Sequence, residues 1–140
     1  MGCSIEIDAE VFSGEVWQEV EIPLNLTNFK NYCAFGILGN SIYKRDFPAI
    51  SSPKGMPVDS PNYDRVIREE AEEKQCQGYV YLFDRSWLTL KELQIYDWNR
   101  KNEQGHSAGD CAGILIELME WMASFDVAPF HIRIIYAFGN

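Results

Sequence analysis

The chain has 140 residues, 46% of them hydrophobic and 24% charged, with a net charge of −9. That length and balance give a single domain, residues 1–140, with a core large enough to need no staples. The acidic excess argues against a phosphate-tracking nucleic-acid binder, which needs a basic footprint. It leaves surface solvation or docking on a basic partner.

The opening stretch alternates. Cys3, Ile5, Ile7, Ala9 and Val11 interleave with Ser4, Glu6, Asp8 and Glu10, the period of a strand with one wet face. Ser13-Gly14 signals a turn, and Val16, Val20 and Ile22 carry a second strand, so residues 3–22 predict a β-hairpin that Pro23 ends. Because the alternation starts at Cys3, that residue is expected to point inward. Glu6 stands where a myristoylation signal wants Ser or Thr, so lipid anchoring is not expected.

Thr27 or Asn28 is a candidate cap for a helix over about 29–38, closed by Gly39-Asn40. Residues 41–61 hold four of the six prolines and predict an irregular connection. Ser60-Pro61 then starts a charged surface helix with only Val66, Ile67 and Ala71 to bury. Residues 79–83, YVYLF, are a strand candidate. Thr89-Leu90-Lys91-Glu92 has the form of a capping box, with Leu88 and Leu93 placed for a hydrophobic staple, and predicts a helix over 90–98.

After a polar loop, Asp110 is expected to cap a helix reaching about Phe125, with Gly113 inside it as a point of close packing. Beyond Pro129, residues 130–138 alternate with both faces largely apolar, which predicts a central strand. The fold class is therefore α+β: a small, mostly antiparallel sheet, built from the N-terminal hairpin and a central C-terminal strand, with helices packed on one face.

Several stretches in order resemble a group of uncharacterised proteins encoded in phages and prophages, which open Met-Gly-Cys-Asp-Ile-His. They are MGCSIEIDAEVF, NYCAFGILGN, SSPKGMPVD, SWLTLKEL followed by YDW, and RIIYAFGN. The resemblance implies a phage accessory protein acting in the host cytoplasm and implies no activity. Ser4-Ile5-Glu6 departs from the group's Asp-Ile-His. Asp84-Arg85 stands where other members often carry a His before Ser-Trp-Leu, so any histidine chemistry there is not shared.

Chemical motifs are sparse. The four cysteines, Cys3, Cys33, Cys76 and Cys111, form no C-x-x-C pair, so neither a zinc ribbon nor a thioredoxin site is expected. His106 and His131 are isolated, no nucleophile elbow is present, and no catalytic residue, metal ligand or cofactor is assigned. Glu6, Asp8 and Glu10 share one strand face and are expected to be solvated acids.

The residues that point to a ligand are aromatic and basic: Tyr32, Tyr43, Lys44, Arg45, Lys54, Arg85 and Trp87. An Arg beside a Trp can stack on a base and hold a phosphate. The expected function is thus a non-enzymatic binder that sequesters a nucleotide signal of host immunity. The alternatives are an acidic, nucleic-acid-mimicking inhibitor of a host defence nuclease, and a small enzyme with a cryptic site. The expected partners are a nucleotide or a host defence protein, with neither nucleic acid nor membrane, and with self-association left open.

Overall fold

The alternating N-terminus forms the first strand. In the computed structural model, which describes residues 2–43, 46–74 and 82–139, β1 covers Ser4–Ser13 and β2 covers Val16–Val20. They meet at the two-residue turn Gly14-Glu15, whose φ angles of 61° and 70° identify a type I′ turn. Its twist matches that of the paired strands; glycine tolerates this backbone freely, and Glu15 does so at some cost.

The chain then makes a 3₁₀ turn at Leu24–Leu26 and enters α1, Tyr32–Ile37. The cap of α1 is Asn31 rather than Thr27 or Asn28. Its side-chain oxygen accepts from the Ala34 amide at 2.9 Å, and its Nδ2 donates to the Cys111 carbonyl at 3.0 Å. Helix α2 is Tyr63–Lys74. It begins two residues after Pro61, because the Ser60 hydroxyl turns back to the sheet and accepts the Asn62 amide on the way.

The predicted strand at 79–83 lies outside the described residues as far as 81. The third strand, β3, is Phe83–Thr89, directly before α3, Leu90–Ile95. The capping box is present: Thr89 Oγ1 accepts from the Glu92 amide at 3.2 Å and Glu92 Oε1 accepts from the Thr89 amide at 3.1 Å. The helix expected from Asp110 to Phe125 is two pieces, α4 at Ala108–Cys111 and α5 at Gly113–Ala123, separated by Ala112 at φ −118° and ψ 45°. Ser107 caps the first piece, not Asp110. Gly113 is the first residue of α5, and a Cβ there would meet nothing, so it is not a packing point. After a 3₁₀ turn at Pro129–His131, β4 runs over Ile132–Gly139.

Among the described residues the four strands form one antiparallel sheet in the order β2-β1-β4-β3. This is an α+β fold. β4 is central, as both of its apolar faces require, and all eight of its residues are buried. Strand alternation divides its side chains. Ile132, Ile134, Tyr136 and Phe138 join Ile5, Ile7, Ala9 and Val11 in one core with Phe35 and Leu38, Leu90 and Leu93, and Leu115, Leu118 and Met122 from the helical layer. The other face carries Glu10, Arg133, Ile135 and Trp87. The segment from Lys54 to α2 crosses it through polar contacts.

Candidate functional site

The second sheet face carries a connected polar cluster. Register places Glu10 of β1 directly opposite Arg133 of β4. The Arg133 Nε and Nη2 both donate to Glu10 Oε1, at 3.0 and 2.8 Å, and both side chains are at most 2% exposed. The remaining guanidinium nitrogen, Nη1, meets Asp59 Oδ1 at 2.9 Å, while Trp17 Nε1 donates to Asp59 Oδ2 at 3.1 Å. Ser60 Oγ donates to Glu10 Oε2 at 2.5 Å. The guanidinium carbon lies 3.8 Å from the Trp17 ring centre and 5.4 Å from that of Trp87. Both buried charges are thus paired and hydrogen-bonded, the condition for keeping them ionised away from water.

Lys54 and Trp87, singled out in the sequence, meet here. Lys54 Nζ sits 3.9 Å above the Trp87 ring and ion-pairs with Glu92 Oε2 at 2.7 Å. The backbone around Lys54 also seals the outer edge of β3. The Lys54 amide donates to Ser86 Oγ and the Gly55 amide to the Arg85 carbonyl. Lys54-Gly55 is therefore a surface turn that ties the long connection to the sheet. Arg85 belongs to the same face but turns to α2, where its Nε donates to Glu70. Asp84, just before it, takes a positive φ of 52° at the irregularity in β3 and accepts the Ser41 amide at 2.7 Å.

Tyr32 and Tyr43 form a separate feature beside α1. Their rings stack in parallel at 4.2 Å and border a cleft of about 190 Å³ with Cys33, Gly36, Asp46 and Phe47. Lys44 and Arg45 lie outside the described residues. The expected ligand-binding set is therefore divided: Lys54, Arg85 and Trp87 share the sheet face, whereas Tyr32 and Tyr43 stand on α1 and the loop after it. The sequence reading missed Arg133, Glu10 and Trp17. The available signal was Arg133, the one acidic or basic residue (Asp, Glu, Lys or Arg) within the apolar stretch 130–138; Glu10 only continues the polar side of the β1 alternation.

The titratable groups show no catalytic pairing among the described residues. His131 packs its ring against Phe12 and Phe130, and the His106 backbone amide donates to Asn102 Oδ1. Cys3 is fully buried, its sulfur accepting from Asn40 Nδ2 at 3.3 Å. Burial pushes the Cys33 thiol up, reinforced by the neighbouring Cys111 thiol, which makes it a poor nucleophile. Cys76 lies outside the described residues. No group of three or more His, Cys, Asp or Glu side chains is placed to hold a metal ion among the described residues, nor is any helix there long and apolar enough to cross a membrane.

The carboxylates at the other end of the hairpin differ from those around Arg133. Glu6, Glu19 and Glu21 are exposed and form no ion pair among the described residues. Asp8, Glu19 and Glu21 border a cleft of about 430 Å³ floored by Ile7, Val20 and Ile22. The Asp8 carboxyl is raised above its ordinary value, mainly by desolvation, with Arg65 and Arg85 pulling against it and Glu10 adding to it. Comparison with protein-family models, with curated proteins and with solved structures finds no match.

Proposed function

We propose that this protein is a non-enzymatic binder that docks its acidic hairpin end on a basic surface of another protein. One observation carries the reading: the cations of the second sheet face and the acids at the hairpin end are used differently. Lys54, Arg85 and Arg133 are each bound to a carboxylate of the same chain, which leaves them little to offer an anionic ligand. Glu19 and Glu21 border an open cleft and, like Glu6 on β1, form no ion pair among the described residues. Unpaired carboxylates in a net field of −9 raise the encounter rate with a cationic surface and make binding dependent on salt. The likeness to phage-encoded proteins directs the search for that partner to host defence proteins, including nucleases that normally hold nucleic acid.

The test is capture from host lysate by the immobilised chain and by its Glu19→Lys/Glu21→Lys variant. A partner retained at low salt, released by about 0.5 M salt and lost by the variant is expected, because the Debye length shrinks to a few ångströms over that range. Retention that ignores both salt and the charge reversal sinks the proposal.

A second reading, sequestration of a nucleotide signal, draws on the Tyr32–Tyr43 stack and the basic pair that follows Tyr43 in sequence. It calls for a thermal shift with a nucleotide panel, and for a small molecule released from protein purified from its host. A flat response in both assays removes it.

A further inference from the structure

The inner edge of the sheet is left unfinished where β2 stops. In a two-residue type I′ hairpin the residues flanking the turn exchange both backbone hydrogen bonds, so Ser13 pairs with Val16 in that way. Stepping back by twos along β1, Val11 and Ala9 do the same with Gln18 and Val20. Ile7 and Ile5 have the same parity, so their amides and carbonyls point to the β2 side, while their even-numbered neighbours bond to β4. β2 ends at Val20, and the chain departs through Glu21 and Pro23. Among the described residues, no backbone hydrogen bond links residues 21–31 to Ile5 or Ile7. The cleft of about 430 Å³ occupies the fork thus opened.

The opposite edge shows the usual remedy. There the Gly55 amide covers the Arg85 carbonyl and the Lys54 amide covers Ser86 Oγ, so β3 does not invite another strand. Among the described residues no hydrogen bond of that kind covers Ile5 or Ile7 from the β2 side. β2 has its own outer edge, but that edge is only five residues long and includes the charged Glu19, which blunts it.

We infer that the β1 edge between Ser4 and Asp8 accepts an extended, basic segment of a partner protein as an added strand that continues the line of β2. This inference rests on the acidic-docking reading above and specifies how the partner is held. Main-chain bonds to Ile5 and Ile7 would supply the affinity. The flanking Glu6, Asp8, Glu19 and Glu21 select Lys or Arg in the added strand, since opposite charges on neighbouring strands attract. The same acids disfavour a second copy of this chain, because copies pairing along this edge would set like carboxylates against each other.

Hydrogen exchange of the full chain tests this, with a synthetic peptide of alternating lysine and valine as the probe. In the free protein the Ile5 and Ile7 amides exchange faster than those of Ala9 and Val11. With peptide at about ten times its Kd, exchange at Ile5 and Ile7 slows by about tenfold, and Glu19→Lys/Glu21→Lys weakens that protection. A peptide that binds in a salt-sensitive way yet leaves Ile5 and Ile7 unprotected overturns strand addition and leaves acidic docking standing. Protection that appears at Trp17 and Glu19 instead places the strand on β2 and overturns the assignment. So does protection of Ile5 and Ile7 that grows with protein concentration alone, which marks self-pairing. A peptide that does not bind also overturns the strand addition, whatever the lysate experiment shows.

Discussion

Arg133 is the residue on which the second sheet face depends. Its charge is nearly closed off from water, and its partners come from three parts of the chain: Glu10 on β1, Asp59 on the long connection, and the rings of Trp17 and Trp87 on β2 and β3. Removing one member of such a pair leaves a buried charge uncompensated, at a cost of about 3–5 kcal/mol. Arg133→Met is therefore expected to lower unfolding free energy by about that amount, and Arg133→Met/Glu10→Leu to recover much of it, as read by urea denaturation. A single variant costing under about 1 kcal/mol would show that the buried pair contributes little to stability.

Asp8 makes the opposite case. Its native carboxyl titrates above the ordinary value of 3.8, chiefly through desolvation. Between those two values the folded chain holds a proton that the unfolded chain has released, so stability falls as pH rises through that window. Asp8→Asn should raise Tm at pH 7 and give no gain below the ordinary Asp range, where both states are protonated. A gain that persists unchanged at low pH would mean that charge is not the cause.

At the level of elements, legibility followed the range of the interactions. The capping box at Thr89–Glu92 is a contact within four residues, and it is present as expected. β4 is legible because burial on two faces imposes an apolar run, and β1 because burial on one face imposes alternation. β3 is not legible in the same way. Asp84, Arg85 and Ser86 are polar, and the irregularity at Asp84 breaks the period before Trp87 and Leu88 can establish it. The second sheet face is hidden for a related reason: Glu10, Asp59 and Arg133 are brought together only by strand register and a long connection, and no local pattern encodes that meeting.

The broken helix yields a further prediction. Gly113 opens α5 without a positive φ, and a Cβ at that position meets open space. Gly113→Ala is thus compatible with the native backbone and restricts only the unfolded chain, giving about 0.4–1 kcal/mol of added stability. A loss in thermal or urea denaturation would point to a need for glycine at the junction after Ala112.

For the whole molecule, the two faces of the sheet are covered by different physics. One is sealed by an apolar layer from α1, α3 and α5, with Leu93, Leu115, Leu118 and Met122 fully buried. The other is crossed by the connection and α2, where Val66 is the one apolar residue buried among the described residues of the helix. That covering is held by Asp59 on Arg133 and Trp17, by Ser60 on Glu10, and by Glu70 on Arg85. Partly exposed polar contacts contribute little each and bury little apolar area, so α2 should open at a lower free energy than the sheet.

Native-state hydrogen exchange reads this directly. The amides of α2 are expected to exchange well before those of β4 and α5. Asp59→Ala, which removes the carboxylate joining Arg133 to Trp17, should speed α2 further while β4 keeps its protection, because Glu10 still neutralises Arg133 from within the sheet. If α2 and β4 exchange together in both proteins, the polar cover and the sheet unfold as one unit. The Arg133 cluster would then belong to the global stability of the fold rather than to a separable layer laid over it.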